Sequence, residues 1–263
     1  MPEGDTVYRH AVLLRPLLVG QPIRAATSRW PGRVQGLVGH RIQRVWPRGK
    51  HLMIGVSDGT TLRIHLAMHG QWRRLASGQR SDTSPGDVSL RLDTPEDALL
   101  CVHAPTLDRF ETRQAPIHPV LSRLGPDVLA PRFDPFAVAA RARASSHHTV
   151  AEALLDQAIS CGVGNIYKCE LLFLCGHDPF ASPAELPLER WAGLYARART
   201  LMGANLELTA RDTTRLGSGQ PLHWVYGRRG RPCLRCGALI ATRSHGLDLP
   251  RITFWCPRCQ TPR

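Results

Sequence analysis

The sequence predicts an α+β protein in three parts: a strand-rich half of sandwich or barrel type led by one helix, a helical middle, and a cysteine-bearing tail. Three observations predict it. The stretch LRIHLAMHG alternates apolar and polar residues, the texture changes to Ala, Leu, Arg and Glu after LGPDVLAPRFDP, and four cysteines close the chain in two tight pairs. Placed on the chain, the parts span residues 1–130, 131–228 and 229–263.

The leading helix is expected from about Asp5 to Gly20, with Asp5 and Thr6 in its first turn and Pro16 arguing against an unbroken course. In LRIHLAMHG, Leu62, Ile64, Leu66 and Met68 fall on one face and Arg63, His65, Ala67 and His69 on the other, the period of a half-buried strand. HLMIGV and VSLRL read as further strands between Gly, Asp, Ser and Pro clusters. In the helical middle, TVAEALLDQAIS places Ala151, Leu154, Leu155, Ala158 and Ile159 at helical spacing. The turn Cys161-Gly162-Val163-Gly164-Asn165 then leads into IYKCELLFLC, with Asn165 as its cap and Gly176 as its stop. LERWAGLYARARTLM is a third helix, and ARDTTRLGSGQP reads as a mobile loop.

At 263 residues the chain is long enough to bury a sizeable core. No run approaches the roughly 20 apolar residues of a membrane span, and no basic-then-apolar export signal is read at the start, so no membrane partner is expected. The net charge of +13 comes mostly from arginine, whose planar fork suits phosphate. A polyanion, most often nucleic acid, is the partner such a balance implies.

Cys101, Cys161, Cys169 and Cys175 are scattered and read as reduced, mostly buried thiols. Cys233, Cys236, Cys256 and Cys259 form two Cys-x-x-Cys knuckles with 19 residues between them. Four thiolates so arranged suit one structural zinc with no open coordination position; the rival reading is a pair of disulfides or redox dithiols, which needs an oxidising or thioredoxin-like context. The glycine turn before Asn165 presents a helix N-terminus, an anion site in a basic protein and an ordinary helix hairpin otherwise. His65 and His69 do not converge on a metal from one strand.

The N-terminus adds a question of chemistry. Pro2-Glu3-Gly4 is a plain lead-in to the helix, or, with Met1 trimmed, it exposes a secondary amine able to form an iminium with an aldehyde carbon beside the Glu3 carboxyl.

Taken together, PEG at the start, RGKHL around Lys50, GVGNIY, and the tail VYGRRGRPCLRCG with RITFWCPRCQ resemble the bacterial formamidopyrimidine-DNA glycosylase / endonuclease VIII family. The resemblance spans nearly the whole chain. It implies an N-terminal β-sandwich with a leading helix, a helix-two-turns-helix domain and a C-terminal β-hairpin zinc finger, with DNA between the halves. It implies a bifunctional DNA glycosylase and abasic-site lyase of base-excision repair, which flips a damaged nucleotide out, attacks C1′ with Pro2, releases the base and cleaves the strand by β,δ-elimination. Glu3 matches the assisting acid/base, Lys50 the lysine near the target phosphate, Asn165 the phosphate-binding asparagine, and Arg251 the zinc-hairpin arginine. Arg123 in LSRLGPD resembles a further DNA contact. Met68 in HLAMHG matches a wedge that fills the gap, against the core position that alternation gives it, and Arg109-Phe110 in LDRFE resembles the stretch that helps. Taken alone, Lys50 and Arg251 are ordinary surface cations, and Arg123 could pair with Asp127.

Two departures stand out. Asp5-Thr6 replaces the commoner Pro-Glu, which bears on how the opened sugar is held, and the interval between the cysteine pairs is longer than usual. LLDQ, HPVLSRLGPDVL and a short ARDTTRLGSGQPLHW resemble the endonuclease VIII branch, which implies oxidised pyrimidines in damaged double-stranded DNA as substrate, one zinc per chain, a monomer and a bacterial cytoplasm. The alternatives are an oxidised-purine glycosylase, a non-catalytic zinc-finger DNA-binding protein, and an RNA-binding zinc ribbon, the last disfavoured by the lack of an aromatic base-stacking motif.

Overall fold

The computed structural model describes residues 2–76, 78–246 and 250–261, so Met1, whose trimming the sequence reading expects, lies outside the described residues. The chain divides into two compact units, Met1–Arg123 and Leu124–Arg263.

The first unit opens with α1 (Gly4–Leu18). Val7, Ala11, Leu14 and Leu18 recur at helical spacing and are buried, a stripe that seats α1 on the core. Each large apolar side chain so buried contributes roughly 1.5–3 kcal/mol. Contrary to the sequence expectation, α1 runs unbroken through Pro16. The proline removes one hydrogen bond, to the carbonyl of Val12 on an exposed face where water can serve it, and Arg15 donates through Nε to Val45 O at 3.0 Å.

Two four-stranded antiparallel sheets follow. One has the order β1-β6-β7-β5, from β1 (Ala25–Thr27), β6 (Val88–Asp93), β7 (Asp97–Val102) and β5 (Gln71–Ala76). The other has the order β2-β3-β4-β8, from β2 (Ile42–Arg48), β3 (His51–Val56), β4 (Thr60–His65) and β8 (Thr106–Glu111). Leu52, Ile54, Leu62, Ile64 and Leu107 of the second sheet share one core with Leu90, Leu92, Leu99 and Cys101 of the first, which makes the unit a β-sandwich.

One element departs from the period-two pattern. β4 ends at His65, and Ala67 turns to φ 50°. Gly70 N–H closes the turn on Leu66 O at 2.8 Å, and a side chain at Gly70 would bring its Cβ to 2.5 Å of that oxygen. The alternation therefore stops at Leu66, and Met68 is not a core residue: it is 55% exposed.

The second unit contains α2 (Pro135–Arg143), α3 (Val150–Leu155), α4 (Asn165–Cys175) and α5 (Leu188–Ala204), followed by the hairpin β9 (Ala241–His245) and β10 (Arg251–Trp255). α2 is capped by the Asp134 carboxylate, and α3 by a reciprocal Thr149–Glu152 box. α3 is shorter than the spacing of TVAEALLDQAIS predicts. Asp156 Oδ1 accepts from Ala158 N at 2.8 Å, so a local side-chain bond replaces the helical one and the chain turns before Ala158 and Ile159. Buried Trp191, Leu194, Tyr195 and Ala198 of α5 share a core with Val138, Ala139, Leu154 and Leu171. ARDTTRLGSGQP, expected to be mobile, is organised at its start. Asp212 Oδ1 accepts from the backbone N–H of Thr214 and Arg215, both at 2.9 Å, and Asn205 Oδ1 accepts from Asp212 N at 2.7 Å.

Candidate functional site

In the first unit, Pro2 is half-buried and Glu3 is 1% exposed. Glu3 precedes the first helical residue, and its carbonyl accepts from Val7 N–H at 3.1 Å, so the leading residues are fixed by the start of α1 rather than frayed.

Lys50 sits in the two-residue turn between β2 and β3, where Arg48 pairs with His51 and Gly49 takes φ 55°. A positive φ at the first turn position alone fits a type II′ hairpin, which glycine adopts without strain and which presents the next residue outward. The polar face of this sheet continues with His51, His65, Arg63 and Asp108. The rings of His51 and His65 lie 4.9 Å apart, and Arg63 Nη1 is 3.2 Å from His51 Nδ1. Burial, followed by the charges of His65, Arg63 and Lys50, holds His51 down to about 3; burial with Lys50 and Arg63 holds His65 to about 4. Both rings are therefore neutral at pH 7, and the positive charge on this face belongs to lysine and arginine. Asp108 is balanced differently. Burial would raise it, but the hydrogen bond from His118 Nε2 at 2.9 Å and the charges of Arg33 and Arg63 hold it below the usual carboxylate range.

Met68 stands at the tip of the Leu66–Gly70 turn, beside a depression of about 770 Å³ lined by Arg29, His69, Gln71 and His103. Arg109 turns away from that tip and engages Asp58, while Phe110 packs against His118 with ring centroids 4.6 Å apart. Arg123 is exposed at the end of the unit, in a short 3-10 turn.

In the second unit, Gly164 rather than Asn165 caps α4, and Asn165 is its first helical residue, 8% exposed. The preceding turn is built by Gln157, which donates through Nε2 to Val163 O at 3.0 Å and accepts from Gly162 N at 3.1 Å. Asn165 Nδ2 donates to Ile252 O at 3.0 Å, next to Arg251, which is exposed at the head of β10. These two expected residues are thus brought together.

The four tail cysteines converge. Their sulfurs all lie within 4.8 Å of one another, with Cys236 and Cys256 at 3.4 Å and Cys233 and Cys259 at 4.0 Å. None is disulfide-bonded. Those separations fit a tetrahedron around a metal with bonds of about 2.3 Å. The backbone N–H of Ala238 foremost brings the Cys236 thiol down to about 7, while burial pushes the Cys256 and Cys259 thiols up, so of these three Cys236 is the readiest to ionise. The knuckles pack on Phe173 and Val225 rather than standing free, and Gln260 links Cys256 N–H to His177 O, each at 3.0 Å.

Three residues of the second unit were not anticipated. Glu170 is wholly buried and accepts from the backbone N–H of Trp224, Val225 and Tyr226 at 2.7–2.9 Å. Lys168 is wholly buried beside Asn165, and His245 faces it from β9. Two charges inside the apolar run IYKCELLFLC were the available signal, since a charge in a buried helix requires partners.

Comparisons with known proteins place the whole chain among relatives. Residues 1–105 match the family model for the formamidopyrimidine-DNA glycosylase N-terminal domain, and residues 124–216 that for the formamidopyrimidine-DNA glycosylase H2TH domain. The chain is 40% identical to a probable endonuclease 8 2 of Streptomyces coelicolor, over 99% of this chain and 94% of that one. It is 36% identical to the DNA-(apurinic or apyrimidinic site) lyase Nei2 of Mycolicibacterium smegmatis, over 99% of both. It superposes on the Lactococcus lactis formamidopyrimidine-DNA glycosylase bound to DNA with an abasic site, with TM-score 0.84 and 26% identity over 99% of this chain and 100% of that one.

Proposed function

The chain belongs to the formamidopyrimidine-DNA glycosylase family, and we propose that it removes oxidised pyrimidines from duplex DNA through a covalent bond to the nitrogen of Pro2. It is a DNA glycosylase and abasic-site lyase of base-excision repair. The endonuclease 8 and Nei2 names of the relatives at 40% and 36% identity support the endonuclease VIII branch.

The chemistry centres on the Pro2 nitrogen. With Met1 removed, the nitrogen lone pair attacks C1′, the glycosidic C–N bond breaks, and its electron pair leaves with the base as the base takes up a proton. Opening of the sugar ring yields an iminium between the Pro2 nitrogen and C1′. Proton loss from C2′ then expels the 3′ phosphate, and a second elimination expels the 5′ phosphate. Glu3 shuttles the protons of base loss and ring opening. Lys50, Asn165, Arg251 and Arg123 hold phosphates, and Met68 fills the space the flipped nucleotide leaves, while Arg109, tied to Asp58, and Phe110, packed on His118, brace β8 of the same unit.

The single observation that carries this reading is the anchoring of the N-terminus: a half-buried proline directly ahead of a carboxylate that is 1% exposed at the start of a helix. Further support comes from the four convergent thiols, which we assign to one structural zinc that holds the Arg251 hairpin. On the same reading the enzyme works as a monomer in the cytoplasm; no described helix is long and apolar enough to cross a membrane.

Borohydride trapping tests the covalent route. The native protein is expected to cross-link to duplexes carrying thymine glycol or an abasic site, and Pro2→Ala or a blocked leading nitrogen to abolish the adduct. A chain that retains Met1 yet opens abasic DNA at full rate would exclude Pro2. A second reading, excision of oxidised purines, is favoured by the neighbour of TM-score 0.84 solved as MutM with 8-oxo-G DNA. Faster trapping on 8-oxoguanine than on thymine glycol would establish it over the first.

A further inference from the structure

Of the 34 lysines and arginines in this chain only two are lysines, Lys50 and Lys168. Lys168 is 0% exposed within α4. Its ammonium meets Asn165 Oδ1 at 2.7 Å, Thr253 Oγ1 at 2.7 Å and His245 Nε2 at 3.2 Å. An ammonium has three N–H donors, and here each has an acceptor. Satisfying every donor is how a fold holds a charge that would otherwise be too costly to bury. For His245 to accept, its ring is neutral with the proton on Nδ1, which faces Glu152 Oε1 at 3.9 Å. Burial and the charge of Lys168 hold that ring to about 4.

The acceptors come from separate elements. Asn165 opens α4, while His245 and Thr253 lie on β9 and β10, where His245 pairs directly across from Arg251. Asn165 is held from two sides, since its Oδ1 accepts from Lys168 and its Nδ2 donates to Ile252 O. An asparagine amide has two N–H donors, so this pairing fixes which way the amide faces and leaves the second N–H for a ligand.

We propose that Lys168 is the positioning residue for phosphate recognition in the second unit. It orients the Asn165 amide and ties the hairpin bearing Arg251 to α4, so that Asn165 and Arg251 meet a nucleic-acid backbone as one preorganised group. Its buried charge adds to the positive end of the α4 dipole. This rests on the reading of Asn165 as a phosphate ligand.

The test uses the full, zinc-loaded chain and a duplex with a non-cleavable tetrahydrofuran abasic analogue, read by fluorescence anisotropy. Lys168→Met is expected to keep its zinc, to weaken binding about tenfold, and to raise KM for strand cleavage far more than it lowers kcat. Asn165→Ala is expected to weaken binding alike, and the double variant to bind no worse than Asn165→Ala alone, because Lys168 acts through that amide. Should Lys168→Met not fold, Thr253→Val withdraws a single acceptor and is expected to show the same non-additivity at smaller amplitude. Wild-type affinity in Lys168→Met, or losses that multiply in the double variant, would overturn the proposal. Asn165→Ala binding like wild type would instead remove the phosphate reading itself, a failure visible before Lys168 is considered.

Discussion

Arg109 Nη2 stands 2.6 Å from Asp58 Oδ2, and the same guanidinium donates to Thr60 Oγ1 at 3.1 Å and to Gln35 O at 2.5 Å. All three partners lie in the first unit, so the side chain pins the loop after β3 and the segment before β2 to β8. Arg109→Ala is therefore expected to destabilise that unit by about 1–3 kcal/mol, and Asp58→Asn by a similar amount. Denaturant unfolding of each variant checks this. Unchanged stability with lost base excision would show that the arginine serves DNA and not the fold.

Met68 has the opposite profile. At 55% exposure its side chain adds little to the core, so Met68→Ala is expected to shift stability by less than about 0.5 kcal/mol. Excision from duplex substrates should nevertheless fall, because a flipped nucleotide leaves a gap that alanine cannot fill, while cleavage of single-stranded abasic DNA should change much less. Equal losses on both substrates would contradict the wedge.

The histidines predict a pH dependence. His51 is held to about 3 and His65 to about 4, below the 6.5 of an unfolded imidazole. Below pH 6.5 the unfolded chain binds protons that the native rings refuse, so their contribution is complete above about pH 6.5 and declines as pH falls toward 4. The denaturant midpoint of the first unit should drop between pH 7 and pH 5. His51→Gln with His65→Gln should flatten that slope, and a midpoint indifferent to pH in the native chain would refute the account.

Metal removal should act locally. Cys233 and Cys256 share a small core with Cys169, Phe173 and Val225, so a chelator is expected to loosen β9–β10 and the α4 face beneath. Fluorescence of Trp224 and Trp255 should report the change, while hydrogen exchange in β2, β3 and β4 stays protected. Loss of protection across those strands would mean that the metal supports more than the hairpin.

Much of this was legible in the sequence because the signals were local. The paired cysteines and the glycine stop of α4 each depend on neighbours in the chain. Periodicity misleads where a local turn closes before the apolar pattern ends. Asp156 ends α3 by accepting from Ala158 N, and the Leu66–Gly70 turn ends β4, yet both segments carry apolar residues at the right period. The roles of Lys168 and Glu170 are hidden for another reason. Their partners lie at Thr253, and at Trp224 through Tyr226, more than 50 residues away, and no periodicity reports such pairings. Arg109 likewise matches a motif whose neighbours do not disclose Asp58, 51 residues distant.

The near absence of lysine has a practical consequence. With Lys168 sealed inside α4, the half-buried Lys50 is the lysine that amine-directed reagents meet in the folded chain. Acylation of the native enzyme, mapped by peptide, therefore becomes a selective probe of that turn, and uptake of label at residue 168 would serve as an internal gauge of unfolding.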